Sequence, residues 1–235
     1  MDHLKMIHQY LKDKSSVDLI PTTGYPFVTI TRQAGGGGHL LAQVIITDFL
    51  KEEDKELFSG WHVFDREVCE LVAEDPELKV SIETLLAEHY RSEFQDFFDT
   101  LFTGRSEQYL RYKKTFQIVR ILSLIGKVIL VGSAGSFVTR DLPSGVRIRL
   151  VAPEATRTRW LMKKFQLSKE EARKMMLQQD AERHKMVRSF FGQDIEDPLT
   201  YDAVFNSDRA DLHEISHAVI AMIKRRRLQN GHGQP

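Results

Sequence analysis

Hydrophobic positions along this chain change period several times, and each change marks an element. Phe27–Thr31 and Val128–Val131 are continuous apolar or β-branched runs, and Val146–Val151 makes another strand, stopped by Pro153. Runs of that length suit strands buried on both faces. A further strand is expected over Trp61–Phe64, ending at Asp65, and a last short one over Tyr201–Phe205. Between them the period lengthens. His39–Lys51 carries Leu40, Leu41, Val44, Ile45, Phe49 and Leu50 along one side of a helix. A long helical region is expected from Arg66 to about Ile125, punctured near Asp75-Pro76 and Thr103-Gly104. Ser168-Lys169-Glu170-Glu171 reads as a capping box that opens a charged helix through Arg188. Asp211–Arg226 reads as the final helix. Residues 3–14 suggest a short amphipathic helix, Pro21–Pro26 a linker, and Leu228–Pro235 a frayed tail. Strands alternating with helices in this way predict an α/β fold, with a parallel sheet covered on both faces.

Composition narrows the picture. The 235 residues, 42% hydrophobic and 28% charged, suit one sizeable domain with its own core. Residues 27–226 would form that domain, with 1–26 as a helix and linker before it and 227–235 as a tail. Lys+Arg and Asp+Glu both number 33, so net charge points to neither nucleic acid nor an anionic membrane. The lone cysteine, Cys69, fits a reducing compartment and reads as a small buried hydrophobe. The first residues lack the apolar core of a signal peptide. The longest apolar region, Phe116–Val138, is broken by Arg120 and Lys127 and reads as a helix followed by a strand. A cytoplasmic protein is the expectation; oligomeric state is left open.

The candidate chemistry sits after the first strand. Gln33-Ala34 leads into four consecutive glycines, Gly35 to Gly38, and a helical pattern begins at once. This is the layout of a phosphate-binding loop, in which backbone N–H groups and a helix N-terminus converge on phosphate oxygens. The lysine and hydroxyl residue that usually follow the last glycine of such a P-loop are absent; Gly38 and His39 stand there. Arg32, just before the loop, could supply the missing positive charge. The plainer alternatives are a glycine-rich turn and a solvated Arg32.

Further pieces extend this pattern: Ile30-Thr31-Arg32-Gln33-Ala34-Gly35-Gly36-Gly37-Gly38, Phe64-Asp65-Arg66-Glu67, Val131-Gly132 followed by Arg140-Asp141, Val151-Ala152-Pro153 with Arg157, Asp180-Ala181-Glu182-Arg183, and Tyr201-Asp202-Ala203-Val204-Phe205-Asn206. In order and spacing they resemble the cytidylate kinase-like family of P-loop nucleoside monophosphate kinases, over about Phe27 to Ile223. The resemblance implies a three-layer P-loop kinase fold with a parallel sheet, a helical insert over 66–125 on the acceptor side and a helical lid over 168–192. It implies ATP-dependent phosphorylation of CMP or a related small acceptor, with Mg2+. Arg32, Gly35, Gly36, Gly37, Gly38 and His39, with Arg157, would embrace the donor phosphates. Asp65 would face the acceptor or a magnesium-bound water. Asp180, Arg183 and Arg188 would lie on the lid and close over the phosphates.

Each role has a plainer counterpart: Asp65 as a helix cap, Asp180 and Arg183 as a surface ion pair. The chain also departs from the resemblance. Ser133 stands where the family usually places an arginine for the acceptor phosphate, Gly36 where a serine is common, and His39 where an arginine is common. The alternative expectation is therefore a nucleotide-binding regulatory protein that has lost turnover. A remote third is a zinc protease, since His213-Glu214-Ile215-Ser216-His217 matches H-E-x-x-H. Helix geometry turns His213 and His217 away from the apolar stripe of Leu212, Ile215, Val219, Met222 and Ile223, so zinc would sit towards solvent and no metal is expected on these side chains. Lys224-Arg225-Arg226-Arg227 reads as a basic last turn, and Arg111-Tyr112-Lys113-Lys114 as a solvated helix face. Phe190-Phe191 is expected to pack.

Overall fold

The computed structural model describes residues 25–75, 107–132 and 134–231. Five parallel strands form one sheet: β1 (Phe27–Arg32), β2 (His62–Asp65), β3 (Val128–Val131), β4 (Gly145–Val151) and β5 (Ala203–Asn206), in the order β2-β3-β1-β4-β5. The α/β reading and its parallel sheet are thus borne out, with strand bounds within two residues of those expected. The amphipathic segment before residue 15, the punctured stretch over 76–106, Ser133 and residues 232–235 lie outside the described residues; the last helix continues to Gly231, past Leu228 where a frayed tail was expected.

Helices cover both sheet faces. On one side lie α1 (Gly38–Phe49), the short α2 (Lys55–Phe58) and α8 (Leu212–Gly231). They bury Leu41, Ile45, Phe49, Ile215 and Val219 against Val28, Ile30, Ile129, Ile148 and Leu150. On the other lie α3 (Arg66–Glu74), α4 (Glu107–Ile125) and the short α5 (Gly135–Val138). There Val68, Phe116, Val119 and Phe137 meet Phe27, Phe64, Val128 and Leu130. The period-2 alternation of the strands sorts these two sets. The α1 stripe is narrower than the sequence suggests. Leu40 lies about 100° round the helix from Leu41, and Leu50 follows the last turn, so both are exposed.

The second face is unusual over β1 and β4, where its inward positions are Thr29, Thr31, Arg147 and Arg149, all buried. Thr29 and Thr31 each share a hydrogen bond with Ser136 of α5, at 2.8 and 3.0 Å. Two more helices rise above the sheet's C-terminal edge: α6 (Glu154–Phe165) and α7 (Lys169–Phe191). The Ser168 capping box on α7 is present as expected. Leu161 of α6 and Ala172 and Met176 of α7 form a small core with Ala34, seating both helices on the glycine loop. Among the described residues no helix is long and apolar enough to cross a membrane.

Candidate functional site

β1 and β3 are neighbours, yet the chain leaves them towards opposite faces, into α1 and α5. Such a divergence opens a crevice beyond the strand ends, where α/β sheets bind ligands. A cavity of about 670 Å³ lies here, lined by Arg32, the segment Gln33–His39, Asp65, Arg66, Gly132, Tyr112, Trp160 and Arg183 among others.

The glycine loop is held from behind. Gln33 Oε1 accepts from the Ala152 amide at 3.1 Å, and Ser207 Oγ donates to the Gly36 carbonyl at 3.1 Å. Asp180 Oδ1 accepts from the Ala34 amide at 2.7 Å. Arg157 donates to the carbonyls of Ala152 and Ala34, at 3.0 and 3.2 Å, and pairs with Asp180 Oδ2 at 2.6 Å. Gly35 has φ +77°, and a Cβ there would lie 2.6 Å from the Arg157 carbonyl oxygen. No side chain fits that approach. Among the described residues the amides of Gly35, Gly37, Gly38 and His39 donate to no protein atom. Four donors thus face outward at the start of α1, where the helix dipole adds partial positive charge.

Arg32 crosses in front of the loop. Its stem packs where a Cβ on Gly38 would stand, and its guanidinium lies directly against Gly132, whose φ of +86° and missing side chain make room for it. Arg32 has no hydrogen-bond acceptor among the described residues. Burial, and next the nearby charge of Arg183, push its pKa down to about 10, while Asp65 opposes the shift; it remains a cation at neutral pH. Arg183 is shifted down as well, by burial first, although Asp180 and Glu182 hold it up. Its Nη1 meets Asp180 Oδ1 and its Nη2 meets Gln179 Oε1, both at 3.3 Å.

Asp65 does two things at once. Oδ1 accepts from the Val68 amide at 3.0 Å, capping α3, and Oδ2 lies 3.3 Å from His39 Nε2. Of the residues singled out in the sequence, Arg32, Gly35 to Gly38, His39, Asp65 and Arg183 line the cavity together. Asp180 and Arg157 lie behind the loop instead, bonded to it and to each other. Arg188 is exposed on α7, away from the lining.

Other lining residues escaped the sequence reading. Tyr112, read there as part of a solvated face, turns into the cavity, with the Arg66 guanidinium 5.5 Å from its ring centroid. Trp160 and Phe165 line the opposite end, with Lys164 over both rings. Their spacing along α6 was a readable signal. Phe190 and Phe191 pack against Phe116, as expected. His213 bonds Asp48 at 3.1 Å on the far side of the sheet and His217 is exposed. Among the described residues no three His, Cys, Asp or Glu side chains converge on a metal-sized space.

Residues 27–209 match the Cytidylate kinase-like family. An uncharacterized protein from Eubacterium ventriosum superposes with a TM-score of 0.61 at 17% identity, covering 85% of this chain and 98% of that one; the likeness is one of fold. A shikimate kinase from Bacteroides thetaiotaomicron gives 0.45 at 11% identity, over 85% and 98% of the two chains. No curated protein matches the chain.

Proposed function

We propose that this chain, which belongs to the cytidylate kinase-like family, is an ATP-dependent phosphotransferase acting on a nucleoside monophosphate such as CMP. The observation that carries this reading is a set of donors without acceptors among the described residues, four loop amides and the Arg32 guanidinium, on residues that line one cavity. Charge-assisted hydrogen bonds of this kind fit a polyphosphate. Family membership supports the reaction class, and the absence of a loop lysine is offset by Arg32.

In this reading an acceptor phosphate oxygen attacks the terminal phosphorus of ATP, and the bond to the bridging oxygen breaks to leave ADP. The chain's part is positioning and charge stabilisation. Loop amides and Arg32 hold the donor phosphates, and Arg183 neutralises the transferring group. Asp65 and His39 stand at the same mouth. Magnesium would be held by the phosphates with Asp65 as the loop-side carboxylate, spreading charge on the transferring group. Residues 168–192, chiefly α7, would act as a lid, and closure would bring in Arg188. Arg66 and Tyr112 offer a platform for the acceptor, in keeping with an acceptor-side role for 66–125.

Purified protein incubated with ATP, Mg2+ and each nucleoside monophosphate, with ADP formation followed, tests the proposal. Turnover with one acceptor that vanishes in Arg32→Ala and Arg183→Ala supports it. Tight ATP binding without turnover favours a regulatory nucleotide-binding role, and no ATP binding at millimolar concentration sinks both.

A further inference from the structure

We propose that Arg149 is a further positioning residue of this anion site, a buried positive charge behind Arg183 that serves the bound phosphates and not the fold. The proposal rests on the phosphate-site reading above. Arg147 and Arg149 stand two residues apart on the same face of β4, and both are buried, 8% and 3% exposed. Arg147 donates to the carbonyls of Thr139, Leu142 and Gly145 and so ties down the turn that precedes its strand. Its Nε is left over, but its other nitrogens are well matched.

Arg149 has nothing comparable. Its Nη1 is buried and has no hydrogen-bond partner among the described residues. Its carboxylate partner, Glu196, is exposed, 3.7 Å from Nη2, and shared with His184 at 3.6 Å. Its other neighbour is Tyr201, whose ring centroid lies 5.8 Å from the guanidinium and whose hydroxyl, donating to the Ile195 carbonyl, is placed to accept from Arg149; that still leaves Nη1 unmatched. A buried guanidinium matched so poorly destabilises a fold, and an apolar side chain of similar length would fill the space more favourably.

The charge has a direction. Arg149 stands in register with Thr31, the residue before Arg32, on the neighbouring strand; its charge reaches Arg183, and that of Arg183 reaches Arg32, each pair repelling. Three guanidiniums therefore run from β4 to the front of the loop. The carboxylates beside them are shared: Asp65 with His39 and the α3 cap, Asp180 among Arg183, Arg157 and the loop amide, Glu196 between Arg149 and His184. A polyphosphate seated on Arg32 and Arg183 turns repulsion along the row into attraction. Arg149 thus acts through Arg183, raising the site's affinity for multiply charged phosphate.

The test pairs anion binding with unfolding in the full chain. Inorganic tripolyphosphate and ATP are titrated calorimetrically into wild type, Arg149→Met and Arg149→Lys, and ligand-free thermal midpoints are recorded. Expected for Arg149→Met is about tenfold weaker binding of both ligands, a shallower salt dependence, and a midpoint equal to or above wild type. Arg149→Lys should stay within about threefold of wild-type affinity, because the charge remains. A destabilised or unfolded Arg149→Met overturns the proposal, since the charge would then serve the fold. Unchanged affinity in a folded Arg149→Met also overturns it and leaves the phosphate site standing. Wild type that binds neither ligand removes the phosphate site and Arg149's role together.

Discussion

Arg157 and Arg32 flank the same glycine loop, one behind it and one in front, and they are treated oppositely. Arg157 spends its donors on two backbone carbonyls and on Asp180, which also holds the Ala34 amide. Arg32 lies against bare backbone at Gly132 and finds no acceptor among the described residues. One arginine is part of the scaffold that shapes the loop. The other is left for a partner that the described residues do not provide. Residue type and position in a motif do not separate these roles; the fate of the guanidinium protons does.

The widest break in that contrast should come from behind the loop. Arg157→Ala leaves two carbonyls unpaired and takes from Asp180 the shorter of its two arginine contacts, and should cost about 3 kcal/mol, lowering the thermal midpoint by on the order of 10 °C. A loss below about 1 kcal/mol in a calorimetric scan would show that the rear network is dispensable. Arg32→Met should do the reverse. ADP formation should fall by about 100-fold, roughly 2.7 kcal/mol, with stability held within about 1 kcal/mol; equal damage to both quantities would erase the distinction. Gly35→Ala tests the backbone between them. The left-handed φ and the 2.6 Å approach to the Arg157 carbonyl should cost about 2 kcal/mol in denaturant unfolding, with weaker tripolyphosphate binding. A neutral alanine there would mean that the loop readily adopts another path.

Asp48 sharpens the comparison from the far face of the sheet. Its burial alone would raise its pKa, but hydrogen bonds from Lys51 and His213 outweigh that and the carboxyl lies lowered to about 2 from 3.8. A depressed carboxylate contributes stability that is fully present above its unfolded value and is lost as pH falls through the folded one. Wild type should therefore lose stability between about pH 4 and pH 2. Asp48→Asn should flatten that window by about 1 kcal/mol, a modest figure because both partners are exposed and screened. Nucleotide turnover at pH 7 should not change.

What could be read from the sequence was local. The strand of Phe27, the glycine run, the apolar β3 segment and the Ser168 capping box each follow from a few adjacent residues, and each appears where expected. The two single-turn helices at Lys55–Phe58 and Gly135–Val138 carry too few periodic positions to announce themselves. Asp180 was singled out within the piece Asp180-Ala181-Glu182-Arg183 as a lid residue, but its bond to the Ala34 amide spans 146 positions and has no local signature. Tyr112 was misread because a basic flank resembles a solvated face until α3 brings Arg66 beneath it. Arg149 was passed over inside Val146-Arg147-Ile148-Arg149-Leu150, where two charges in an otherwise apolar strand were the clue. The acceptor-side expectations that fall on 76–106 and Ser133 lie outside the described residues.

Gly132 has a consequence for how such chains can diverge. A side chain at position 132 would push the Arg32 guanidinium out of its present pose, and the φ of +86° would strain it as well. The glycine is therefore part of how Arg32 is aimed: a chain that fills position 132 keeps its arginine but sends the charge elsewhere, and changes its grip on a phosphate without altering any residue that touches one.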